Sequence, residues 1–146
     1  MKSFLLCLFC AASCVFAQAP ASLPALPPHP GLLPRMYDLA GANGNDGFKV
    51  RDGAWSGVLE GNQQRFLAVN LFAGNRYWFC AATSSPGETP AISLRGPSGQ
   101  EIALVPFAKN GVAAAGVTAP VTGRYVLGLG GPARGSRDFR LLYLFK

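Results

Sequence analysis

The sequence predicts an all-β sandwich of about eight antiparallel strands, preceded by an export signal and a proline-rich arm. Three observations carry that expectation. From Trp55 onward, short apolar runs are punctuated by Gly, Pro, Asn and Ser turns at intervals of roughly eight to twelve residues. No stretch of about ten residues or more carries an apolar stripe at helical period, so essentially no helix is expected in the domain. Residues 55–83 alternate apolar side chains at period two on either side of Gly74-Asn75, a pair that tolerates positive φ and suits a hairpin turn.

The chain of 146 residues divides into residues 1–17, 18–50 and 51–146. Lys2, the apolar run from Phe4 to Phe16 and the small residue Ala17 fit a secretory signal cleaved after Ala17. The run is too short to anchor the chain in a bilayer, so no stable membrane insertion is expected after cleavage. Cleavage before Cys14, with lipidation of that residue, is the weaker alternative, because Ala stands where lipoprotein signals place Leu. The expected location is periplasmic or secreted. Of the four cysteines, Cys7, Cys10 and Cys14 leave with the signal. Cys80 then has no partner for an internal disulfide, and it reads as a small buried hydrophobe.

Residues 18–36 are rich in proline, which fixes φ and removes hydrogen-bond donors, so the arm to about residue 50 should be extended or disordered. Its Leu23, Leu26, Leu32, Leu33 and Met36 could lie along an apolar groove. Residues 41–48, GANGNDGF, are similar to one copy of a calcium-binding nonapeptide repeat, with Gly41, Gly44, Asp46 and Phe48 in register. Such sites take oxygens from stacked copies, so a Gly/Asn/Asp turn is the better reading.

Strands follow in order. Trp55 opens the first, which breaks at Gly61-Asn62. Residues 65–72 and 76–83 are expected to form a hairpin through Ala73-Gly74-Asn75. That register places Leu67, Val69 and Leu71 on one face, against Tyr77, Phe79 and Ala81. The polar loop 84–90 leads to a strand at 91–95 and a tight turn at Gly96-Pro97-Ser98-Gly99. Further strands occupy 101–107, 112–119, 124–129 and 138–145.

The second face of the expected hairpin carries Phe66, Ala68, Asn70 and Phe72 opposite Trp78 and Cys80. Aromatic rings on the far side of a strand imply a cover or a ligand. Sugar-binding sandwiches present such rings beside amide and guanidinium groups, which makes Trp78, Phe66, Phe72, Asn70 and Arg76 the candidate binding residues. The competing expectation is that the arm or a second sheet covers Trp78. In the closing strand, Leu141, Tyr143 and Phe145 alternate with Arg140, Leu142 and Leu144, so it too is apolar on both faces. Such strands could instead serve as the interface of an adaptor or subunit in an exported assembly.

The succession of motifs resembles the bacterial pre-peptidase C-terminal domain family across about residues 52–146. The motifs are Gly57-Val58-Leu59-Glu60-Gly61, Val69 to Gly74, Arg76 to Phe79, Leu94 to Gly99, Ala119 to Tyr125 and Phe139 to Phe145. The resemblance implies a jelly-roll-like sandwich of eight strands that serves exported proteins as an accessory module for secretion, attachment or substrate binding. Some relatives hold calcium through loop carboxylates. Here Thr89-Pro90-Ala91 stand where those acids are expected and only Glu88 remains, so no metal or other cofactor is expected. Ahead of the domain the sequence reads as a signal and a proline-rich arm, so an attached protease is not expected.

Catalysis has little to use. The sole histidine, His29, sits among prolines of the arm, and the seven Asp and Glu are scattered. Cys80 has no histidine in the domain to activate it. No catalytic residue is therefore expected. Thirteen Lys and Arg against those seven acids give a formal net charge of +6, which favours anionic surfaces and polysaccharides in encounter. The basic residues are scattered in an exported chain, so nucleic acid is not an expected partner. The expected role is a non-catalytic module that engages a polysaccharide or an envelope or secreted protein.

Overall fold

The structure is a computed structural model that describes residues 31–44, 46–51, 54–85, 87–109, 111–131 and 135–146. The signal expected over 1–17, Cys14, His29 and the arm up to residue 30 lie outside the described residues. One helix, α1 (Leu32–Gly44), precedes nine strands: β1 (Lys49–Val50), β2 (Trp55–Glu60), β3 (Arg65–Leu71), β4 (Arg76–Thr83), β5 (Ala91–Arg95), β6 (Val105–Lys109), β7 (Val112–Thr118), β8 (Gly123–Gly130) and β9 (Ser136–Phe145). They form two antiparallel sheets packed face to face. Sheet A runs β1-β9-β4-β7-β6, with β2 also paired to β9 beyond β1. Sheet B is β3-β8-β5.

The expected hairpin of residues 65–72 with 76–83 is not formed. Strand β3 pairs with β8 in sheet B, whereas β4 pairs with β7 and β9 in sheet A. The chain arches from one sheet to the other through Ala73-Gly74-Asn75, with Gly74 at φ 82°. Residues 119–122 hold this arch. The Gly74 N–H donates to Ala119 O at 2.9 Å and the Ala119 N–H to Asn75 O at 3.0 Å. The Ala73 N–H donates to Thr122 Oγ1 at 2.9 Å, and the Phe72 N–H to the Tyr77 hydroxyl at 2.9 Å. A Gly-Asn pair supplies the same positive φ to a hairpin and to an arch, so local turn chemistry does not separate them.

The inward set is nevertheless the one that alternation indicates. Val69 and Leu71 of β3 and Tyr77, Phe79 and Ala81 of β4 are all buried in one core, and Leu67 packs against it. They meet across the sandwich rather than along a ladder. Tyr143 of β9 lies at the centre, stacked on Trp55 at 5.4 Å between ring centroids and tilted against Phe79 at 5.7 Å. Tyr125 fixes the start of β8 by donating its hydroxyl to Val121 O at 2.7 Å.

A second core lies on the outer face of sheet A. There Leu32, Met36 and Ala40 of α1, with Phe48, bury Cys80, Ala82, Val112, Ala114, Leu142 and Leu144. This corrects the extended arm expected to reach residue 50, since Leu32–Gly44 is helical. Residues 32, 36, 39 and 40 form an apolar stripe at helical spacing, and Pro34 falls in the first turn, where a missing N–H breaks no helical bond. Gly41, Gly44 and the early proline give the segment weak intrinsic propensity, so packing on the sheet stabilises it. The stretch 41–48 ends the helix and then turns at Asp46-Gly47, whose Asp46 O accepts from Lys146 Nζ at 2.6 Å. The two apolar faces of β9 are thereby both covered. Leu142 and Leu144 lie in the cluster with α1, while Leu141 and Tyr143 face the inner core, and all four are buried. No helix among the described residues is long and apolar enough to cross a membrane.

Candidate functional site

The arch between β3 and β4 separates the five expected binding residues. Trp78 and Arg76 lie on the outer side of sheet A, and Phe66, Asn70 and Phe72 on the outer side of sheet B. A single platform of all five is therefore not assembled. In a hairpin, alternate residues of consecutive strands share a face; an arch turns those faces to opposite sides of the sandwich. Trp78 is half-buried against the second core, with its ring lying over Gly116, where an added Cβ would stand 2.9 Å from the indole. The Arg76 guanidinium lies 5.4 Å over the Phe48 ring. Trp78 thus packs against the cluster that α1 helps to form, and stays half-buried.

Phe66 and Phe72 remain in solvent, 58% and 55% exposed. The register of sheet B builds the surface around Phe66. Phe66 pairs with Gly128 and Ser93 pairs with the same glycine from the other side. The next row on this face is Ala68, Val126 and Arg95, followed by Asn70 and Arg124. Gly128 has no side chain, and the Phe66 ring settles over it; a Cβ there would come within 3.3 Å of the ring. The Cδ1–Cε1 edge of the ring therefore rests on Gly128, beside Ser93, and the residue is otherwise open to water. Phe72 stands six residues further along the chain, about 20 Å away at strand rise.

Beside Phe66 is a shallow hollow of about 540 Å³, lined by Phe66, Arg95, Pro97, Arg124, Val126 and the glycines 96 and 99. The expected turn at 96–99 forms its rim. The Gly99 N–H donates to Gly96 O at 2.9 Å, and Gly99 sits at φ 83°. Pro97 folds down on the start of β8, so close that a Cβ on Gly123 would stand 2.6 Å from its ring. That contact brings the end of β5, with Arg95, beside Arg124. Neither arginine pairs with a carboxylate among the described residues. Glu101, bridged to Arg95 through the backbone, is the acid set nearest by the register.

Arg95, Arg124, Val126 and Pro97 were not among the residues singled out from sequence. Alternation placed Arg124 and Val126 on one face of a strand. Only the pairing of β8 with both β3 and β5 brings them to Phe66, and that pairing is non-local.

Other polar groups are committed to the fold. Arg137 is only 4% exposed and donates to Gly61 O at 3.0 Å and Gly131 O at 3.1 Å. Its Nε stands 3.6 Å from Glu88 Oε2. Glu88, the carboxylate left near the calcium position of the resembled family, is thus occupied in tying loops together. Burial pushes the Cys80 thiol up to about 12, which removes it as a nucleophile at ordinary pH. Burial also raises Tyr143, against the opposing pull of the Arg51 guanidinium. Among the described residues no three His, Cys, Asp or Glu side chains cluster as metal ligands. A second, apolar cleft of about 350 Å³ opens between β5 and β6, lined by Pro90, Ile92, Leu104, Pro106 and Phe107. No protein-family model matches the chain, and no curated protein matches it.

Proposed function

We propose that the protein is a non-catalytic, exported binding module, of the accessory kind the family resemblance implies, which engages a polysaccharide through the outer face of sheet B. The observation that carries this reading is the Phe66 ring. It is exposed, with one edge on Gly128, and Ser93, Asn70, Arg95 and Arg124 share its face of the sheet. An exposed aromatic face takes the apolar face of a sugar ring, and the flanking amide and guanidinium donors bond its hydroxyls. Phe66 on β3 and Phe72 just past its end, about 20 Å apart, suit a polymer better than a small molecule.

The test is retention of the chain from Gln18 onward on a panel of neutral and acidic polysaccharides. Phe66→Ala should lose retention at unchanged melting temperature, since the ring covers little of the core. A panel that retains neither protein would end the polysaccharide reading.

The cleft between β5 and β6 favours a second reading, an adaptor that takes an extended protein segment. β6 and β5 are edge strands of their sheets, all five residues of β6 are exposed, and Val105 and Phe107 face solvent. A strand added to β5 would cover the cleft. Cross-linking from residue 91 to a captured envelope protein would support it; loss of sugar binding through Phe66→Ala alone would favour the first reading.

A further inference from the structure

The charge on the Phe66 face narrows the ligand, an inference that rests on the polysaccharide reading. Arg95 pairs across the ladder with Val126, and Arg124 precedes Val126 by two residues on the same face of β8. Side chains opposite each other in a ladder stand about 5 Å apart at Cβ, and those two apart on one strand about 7 Å. Two long guanidinium side chains rooted this close can converge on one anion in the hollow they both line. Neither is neutralised by a carboxylate among the described residues, and Glu101 answers at most one of the two charges. Holding two like charges side by side is unfavourable, and an anion between them relieves that cost.

We infer that this hollow binds an anionic polysaccharide, with one sugar ring on Phe66 and its carboxylate or sulfate between Arg95 and Arg124. Guanidinium forks match both oxyanions in a bidentate way. An acidic peptide is the less suitable occupant. The hollow lies across the outer face of sheet B, from Phe66 on β3 to Arg95 on β5, and ladder hydrogen bonds run in the plane of the sheet, so an occupant of this face gains none for a peptide backbone. The exposed ring would also go unused by a purely acidic chain. The site is open to water, so its attraction is screened and affinity should fall as salt rises.

The experiment measures affinity of the chain from Gln18 onward for polygalacturonate, dextran sulfate, neutral dextran and poly-glutamate, at about 50 and 300 mM salt. The variants are Arg95→Gln, Arg124→Gln and Phe66→Ala, each checked by thermal melting. We expect binding to polygalacturonate or dextran sulfate, or both, at least tenfold weaker in each variant and weaker in high salt. The two acidic polymers distinguish carboxylate from sulfate. Equal binding of neutral dextran, unchanged in the arginine variants, would overturn the anionic inference while leaving the polysaccharide reading standing. Poly-glutamate bound as tightly, with no loss in Phe66→Ala, would overturn it in favour of an acidic peptide. Retention of no polymer would overturn both.

Discussion

Met36 sits at the centre of the contact between α1 and sheet A, with none of its surface exposed. Met36→Arg would place a charge against Cys80, Leu142 and Leu144, in an environment that offers it no partner. Loss of the Met packing alone should cost about 2–5 kcal/mol, and the buried charge adds to that, so the helix should leave the sheet. Cys80 reports the event. Under the helix its thiol is pushed up to about 12; once exposed it should return toward the ordinary 9.0. At pH 8 the thiolate fraction then rises from roughly one in ten thousand to about one in ten, so modification by a thiol reagent should accelerate by up to about a thousandfold. The assay is the rate of reaction with Ellman's reagent, in the chain from Gln18 onward, whose single cysteine is Cys80. On a Trp55→Phe background, Trp78 should shift its emission to the red at the same time. Near-ultraviolet circular dichroism from Tyr77 and Tyr143 should persist, because their core lies on the other side of the sheet. A thiol that reacts no faster, beneath an unshifted Trp78, would refute the role of α1 as cover.

Three other outcomes follow from the same geometry. Stability should fall as pH rises from about 9 toward 12, because the folded state holds the Cys80 thiol protonated above its unfolded value; denaturant melts should show the decline and Cys80→Ala should reduce it, leaving the share of the raised Tyr143. Arg137→Ala should cost about 3–5 kcal/mol in urea unfolding, since the side chain is buried and its loss strands Gly61 O and Gly131 O, whereas Glu88→Gln, at a partly exposed partner, should cost under about 1 kcal/mol. Tyr125→Phe should lower stability by about 1 kcal/mol through loss of its bond to Val121 O, with no effect on sugar retention.

Strand positions were legible in the sequence because they depend on alternation and turns, which are local. Residues 65–71, 76–83, 91–95 and 112–118 fall where that pattern places them. Partners were not legible. The Gly74-Asn75 turn reads as a hairpin, and whether the chain returns beside itself or crosses to another sheet is decided by Ala119 and Thr122, more than forty residues away. The error carried through to the site, since it alone set Trp78 beside Phe66. The helix was hidden for another reason. Its Leu32, Met36 and Ala40 stripe is short and interrupted by Pro34, and the sheet that stabilises it is built from strands far down the chain.

The position of β9 has a kinetic consequence. Ten residues near the end of the sequence pair with β1, β2 and β4 at once, so the inner strands of sheet A cannot close until residue 145 is available. Pairings of such long sequence separation make for slow, late closure. A chain delivered from its N-terminus would therefore hold β1, β2 and β4 without their common partner until β9 emerged. Closure of the β1, β2 and β4 side of sheet A is thereby the step that topology places last.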